Sequence, residues 1–219
     1  MARVKSAWFL GLCLLATGAW AVEGDLTAPG VVNDTTQKVM AVVAEAGSYV
    51  DRDPERYYQQ VQSILDPVID FRGFARSVMG PYASSERYRS LDAAGQARLR
   101  EQLDRFTEVM RLGLVRTYSK GLLAYGGSRI EVLSDADENQ ASGKATVRQL
   151  VYSTQPDPYV LIYQMGRGKA GSWQLRNIII EGVNLGEIYR NQFEASARKN
   201  NGDLDAVIES WTAVEVKTT

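Results

Sequence analysis

Histidine is absent from the 219 residues and cysteine occurs once, as Cys13. These two absences remove much of the usual catalytic repertoire. Zinc sites built on His or Cys, cysteine nucleophiles and Ser-His-Asp triads all need residues that the chain beyond Cys13 does not contain. An enzyme would be confined to carboxylate, lysine or tyrosine chemistry, so neither a catalytic set nor a metal site is expected. Long hydrophobic runs are missing as well. The apolar segment from Ala7 to Ala16 is far shorter than the roughly 20 residues a spanning helix needs. Arg3 and Lys5 precede it and Ala19-Trp20-Ala21 follows, the pattern of a secretory signal peptide over residues 1–21, cleaved before Val22. Cys13 follows the bulky Leu12 inside the apolar segment, a poor setting for a lipid anchor.

An excess of positive charge is lacking too. Removing Arg3 and Lys5 leaves 23 of the 25 basic residues against 26 acidic ones, a net charge of −3. That balance offers nucleic acid no basic field, and it points to partner proteins rather than anionic membranes as docking targets. No disulfide can form after cleavage, so stability must come from a packed core. About 198 residues suffice to build one, as a single domain over 22–219. Internal repeats and low-complexity segments are absent.

What is present falls into three blocks. The first, over 31–125, is helical. Val32, Thr35, Thr36, Val39, Val42, Val43 and Ala46 recur at helical spacing, predicting a helix from Val31 to Val50 after a short polar lead from Val22 to Pro29. Asp53-Pro54 reads as a cap followed by proline at the first helical position, with Tyr57, Tyr58, Val61, Ile64 and Leu65 behind it and Pro67 as the stop. A short third helix runs from Asp70 to Met79 and ends at Gly80-Pro81. Leu91-Asp92 opens the longest helix, in which Leu99, Leu103, Phe106, Met110, Leu114, Tyr118 and Leu122 step by four or three residues.

From Arg129 the period changes. Arg129–Leu133, Lys144–Tyr152, Tyr159–Met165 and Trp173–Ile180 read as strands of a sheet over 129–181. Asp135 to Gly143 connects the first pair and Gln155-Pro156-Asp157-Pro158 turns the second into the third. Asn184 then caps a helix carrying Leu185, Ile188, Tyr189 and Phe193, and a last helix starts at Asp203, so the C-terminal helices occupy 184–212. Helices, four consecutive short-looped strands, then helices again give an α+β domain: a four-stranded antiparallel sheet covered by a helical subdomain. Such an arrangement either fills the space beneath the sheet with side chains or leaves a cavity there. Ile178, Ile179 and Ile180 are apolar at both parities, so alternation does not choose between the two sheet faces.

The string Trp173-Gln174-Leu175-Arg176-Asn177-Ile178-Ile179-Ile180-Glu181-Gly182-Val183-Asn184-Leu185, continued by Tyr189-Arg190-Asn191-Gln192-Phe193, resembles the signature of MlaC-like periplasmic phospholipid-binding proteins, the toluene-tolerance auxiliary family. A second matching block is Asp70-Phe71, Phe74-Ala75-Arg76 and Met79-Gly80-Pro81-Tyr82. Two departures stand out: the family often has Asp at the position of Asn177 and Ser at that of Asn184. The resemblance implies a curved, nuclear-transport-factor-like sheet enclosing an apolar cavity for phospholipid acyl chains. It makes candidates of Met79, Leu103, Phe106, Met110, Leu114 and Tyr118 from the helices. From the sheet side it adds Val147, Val151, Leu161, Tyr163, Met165, Ile178, Ile180, Val183 and Leu185. Each of these is equally compatible with ordinary core. Arg76, Arg116, Arg148 and Arg190 are the candidates to meet a head group.

The resemblance further implies a monomeric carrier with no cofactor besides its phospholipid cargo. Its partners would be an outer-membrane lipoprotein and porin complex and an inner-membrane ABC transporter with an MCE-domain protein, serving outer-membrane lipid asymmetry. Two other classes stay in view. One is a small-solute binding protein of an ABC importer, against which the absence of an alternating βαβ pattern and of length for two lobes speaks. The other is a hydrolase using carboxylates such as Asp70, Glu181 and Glu187.

Overall fold

The computed structural model describes residues 27–133, 137–139, 142–153 and 156–212. The signal-peptide expectation for 1–21 lies outside them, as do most of the polar lead, residues 135–136 and 140–141 of the connection expected over 135–143, and Gln155.

Five α-helices come first. Helix α1, Ala28–Ala46, starts three residues earlier than its apolar stripe suggests, because the Thr27 side chain caps Gly30 N and Pro29 fits the first turn. It also stops four residues short of the expected end. Helix α2, Pro54–Leu65, uses the Asp53 cap, and α3, Phe71–Met79, uses Asp70, whose Oδ1 accepts from Gly73 N at 2.9 Å. Helix α4, Ser85–Ser90, has too few residues to display a period and was not expected from one. Helix α5, Ala93–Leu123, is the long one, capped by Asp92.

Strands follow: β1 (Arg129–Val132), β2 (Asp137–Asn139), β3 (Lys144–Tyr152), β4 (Tyr159–Arg167), β5 (Trp173–Ile180) and the two-residue β6 (Val183–Asn184). They form one curved antiparallel sheet with path β1-β3-β4-β5-β6, β2 also pairing with β3. The four expected strands are its body. The two additional ones are too short to alternate visibly. Helices α6, Leu185–Lys199, and α7, Leu204–Glu209, close the chain under the Asn184 and Asp203 caps. Among the described residues no helix is long and apolar enough to cross a membrane.

A bulge in β5 settles the ambiguous face. Gln164 pairs with Asn177 but Met165 pairs with Leu175, so Arg176 is the extra residue and the side-chain parity of β5 changes there. Ile178 and Ile180 on one side of the bulge and Leu175 and Trp173 on the other thus share the face of Tyr163 and Met165. Ile162 and Ile179, directly paired, turn to the opposite face.

The buried apolar residues gather in three clusters. One joins α3, the N-terminal half of α5, α6 and α7, with Phe106 stacked edge-on against Phe193 at 4.9 Å and Trp211 at 5.0 Å. A second sets the start of α1 on the sheet through Val32, Val147, Met165 and Trp173. The third joins the end of α1 to α2 through Val39, Val43, Tyr57 and Val61.

Candidate functional site

Between these clusters lies a partly open cavity of about 370 Å³. Each cluster lends it a wall: Phe74 and Leu185 from the first, Val32 and Met165 from the second, Val39 and Leu122 from the third. The sheet supplies Ile130, Val151, Leu161, Leu175, Ile178 and Ile180. Several of these, including Leu161, Ile178 and Ile180, are only half-buried although the helices cover their face. Packed side chains normally leave no void larger than a water molecule. The space is therefore larger than the gaps a packed interior ordinarily leaves.

Of the fifteen apolar candidates, the structure brings nine to the cavity wall: Leu114, Tyr118, Val151, Leu161, Tyr163, Met165, Ile178, Ile180 and Leu185. Met79, Leu103, Phe106 and Met110 are buried in the first cluster instead, and Val147 in the second. Val183 is half-buried in β6, off the wall. The division runs through α5. Its N-terminal half faces α3, α6 and α7, whereas Leu114, Val115, Tyr118, Ser119 and Leu122 face the cavity.

None of the four arginine candidates lines the cavity. Arg116 pairs with Glu55 at 2.9 Å, and Arg148 is exposed on the far face of β3. Arg76 donates to Ala83 O and Ser85 Oγ, while Arg190 donates to Ser77 O and Oγ; these two share a shallow outer cleft that has no residue in common with the cavity. Among the described residues the charged one in the wall is Arg176, and it is engaged. It forms an ion pair with Asp70, its Nη2 donates to Arg167 O at 3.1 Å, and its side chain lies against Gly166. Among the described residues no aspartate or glutamate lines the wall. Asp70 is occupied by its cap and ion pair, and the exposed Glu181 accepts from Val160 N, so these candidate carboxylates of a hydrolase are in structural use away from the cavity.

A hydrogen-bonded chain of neutral polar side chains runs across one part of the wall. The Tyr163 hydroxyl donates to Gln149 Oε1 at 2.7 Å, and Gln149 Nε2 donates to Thr36 Oγ1 at 2.8 Å, linking β4, β3 and α1. Burial pushes the Tyr163 hydroxyl above the ordinary tyrosine range, so it is a fixed neutral donor. Thr35, Thr36 and Gln149 are wall residues that the candidate set omits. A signal for the first two existed: both threonines sit within the apolar stripe of α1, where valine otherwise recurs.

A family model described as MlaC protein matches residues 33–213. Toluene tolerance protein Ttg2D of Pseudomonas putida is 27% identical over 206 residues, covering 94% of this chain and 89% of that one. A phospholipid-binding protein from Ralstonia solanacearum, solved in complex with a phospholipid, superposes with a TM-score of 0.64 at 20% identity, over 83% of this chain and 93% of that chain.

Proposed function

The chain belongs to the MlaC protein family, and from that premise we propose that it is a periplasmic phospholipid carrier. It holds acyl chains in the cavity and shuttles lipid as a monomer between two membrane complexes. These are an outer-membrane lipoprotein and porin complex and an inner-membrane ABC transporter with an MCE-domain protein. The traffic maintains outer-membrane lipid asymmetry. The carrying observation is the cavity itself: an apolar space between sheet and helices, walled by three separate packing clusters and lined by no carboxylate among the described residues.

The energetics explain why such a space suffices. Each methylene withdrawn from water is worth about 0.8 kcal/mol, so roughly 30 of them in a diacyl lipid make free aqueous transfer cost about 24 kcal/mol. Walls of Val, Leu, Ile and aromatic side chains replace the bilayer interior at nearly neutral cost. Pickup and release then remain close to balance and need no covalent chemistry. The nine wall residues among the candidates are the proposed acyl contacts. Met79, Leu103, Phe106, Met110 and Val147 support the wall from behind, and no arginine of the four is assigned to the head group.

Native mass spectrometry of the mature protein, isolated from its host without detergent, tests this reading. Phospholipid bound at a defined stoichiometry is expected. A lipid-free mass that persists after incubation with phospholipid vesicles would overturn it.

A further inference from the structure

The hydrogen-bonding groups inside the cavity do not balance. Tyr163 spends its one proton on Gln149, and Gln149 spends one of its two amide protons on Thr36. The second amide proton has no acceptor among the described residues, and neither does the Thr36 hydroxyl proton. A helical threonine usually disposes of that proton on the preceding turn, as Thr107 does on Leu103 O at 2.7 Å. Thr36 makes no such bond. On the α5 side of the wall, Ser119 Oγ is buried with no hydrogen-bond partner among the described residues, although its backbone carbonyl accepts from Tyr57.

The surplus is one of donors, on the buried Gln149 and Ser119 and the half-buried Thr36, and donors left without acceptors in an apolar setting are costly. An acceptor carried by the ligand is what would complete this part of the wall. It must also be neutral, since Arg176, the charged wall residue, is already neutralised by Asp70, and a carboxylate would enter without a counter-charge. An acyl ester carbonyl satisfies both conditions: it accepts only, carries no charge and sits at the root of each lipid chain.

We propose that Thr36 and Gln149, with Ser119 as a further donor, are specificity-determining residues that hold an ester carbonyl of the bound lipid, so that the cavity selects ester-linked over ether-linked chains. This inference rests on the carrier reading above and adds the linkage chemistry to it.

The test is a competition. Delipidated protein is incubated with vesicles containing equal amounts of diester and diether phosphatidylethanolamine of the same chain length, and bound lipid is identified by native mass spectrometry. The expected preference for the diester is about 10-fold, equivalent to about 1.4 kcal/mol. In Thr36→Val, which keeps the shape and removes the hydroxyl, the ratio falls to about threefold or less. Because the readout is a ratio within one sample, the wild-type measurement stands even if the variant folds poorly. Equal uptake of the two lipids by the wild type would overturn the ester inference and leave the carrier reading intact, as would palmitate displacing the diester. Uptake of neither lipid would overturn both.

Discussion

Asn177 and Asn184, the two departures from the family signature, meet in space. Asn177 Nδ2 donates to Asn184 Oδ1 at 2.9 Å and to Gln164 Oε1 at 2.9 Å, while its Oδ1 accepts from Gly186 N at 3.0 Å. Asn184 Oδ1 in turn caps Glu187 N. The amide thus replaces a charge with a donor and fastens β5 to the start of α6. In the signature's own combination, a serine hydroxyl at 184 would donate to an aspartate at 177, so each pair is self-consistent and a mixture is not. Asn177→Asp alone sets a carboxylate against two amide oxygens and should lose about 1–3 kcal/mol in urea unfolding. Asn177→Asp combined with Asn184→Ser should recover most of it, a non-additivity that a double-mutant cycle measures directly. Additive losses would mean that the contact carries no energy.

Tyr57 provides a second test at this scale. It is fully buried, donates to Ser119 O at 2.9 Å, and burial raises its pKa from 10.0 to about 12. Because the folded state holds the proton more tightly than the unfolded one, the contribution is complete below pH 10 and is lost as pH rises towards about 12. Up to about 2–3 kcal/mol of stability should disappear across that window, and Tyr57→Phe should flatten part of the decline. Unfolding curves between pH 9 and 12 would show it.

Among the elements, α5 does two jobs. Phe106 lies in its packed half, so Phe106→Ala should cost about 3–5 kcal/mol by opening a cavity in the first cluster, while the folded fraction still takes up lipid. On the sheet wall, Ile178→Trp should do the opposite: the added volume enters empty space, costing less than about 1 kcal/mol, and lipid uptake falls at least about 10-fold. Comparing stability and bound lipid in the two variants separates core from cavity. The short α7 depends on charge. Arg98, then Gln102 and Arg105, hold the Asp205 carboxyl below its ordinary range by hydrogen bonding. That stabilisation is present above the unfolded carboxylate pKa of about 4 and lost as pH falls below it. Fluorescence of Trp211, just beyond α7, should change on acidification before the global transition, and Asp205→Asn should remove that early phase.

Most elements were legible because their signals are local. Asp53-Pro54, Asp70, Asp92 and Asn184 all cap the helices they announce, and the strand boundaries follow alternation within two residues. The site was legible in part. Alternation along β4 places Leu161, Tyr163 and Met165 together, but the bulge at Arg176 that swings Leu175 onto the same face leaves no periodic trace. Nor does a helical stripe say which of its turns meets another helix and which meets a void. Leu103 and Leu114 are alike in sequence and differ only in what the fold sets opposite them.

At the scale of the whole molecule, three small cores around a space replace one large core. A protein built this way gives up packing in its empty state, and a ligand that fills the space binds only the folded form. The delipidated protein should therefore melt at a lower temperature than the loaded one, with the midpoint rising as phospholipid is added, by RT ln(1 + [L]/Kd) in free energy. Thermal scans over a lipid titration would register it; a midpoint indifferent to phospholipid would mean that lipid does not occupy the fold's interior.

The central claim is that acyl chains lie between the sheet and the helices. Photo-crosslinking with a phospholipid that carries a diazirine on its acyl chain, followed by peptide mapping, tests that placement most directly. Adducts on Tyr118, Leu161, Tyr163 and Ile178 are predicted, with Leu103 and Phe106 unmodified. Adducts confined to exposed residues such as Leu112, or to the packed half of α5, would contradict the account.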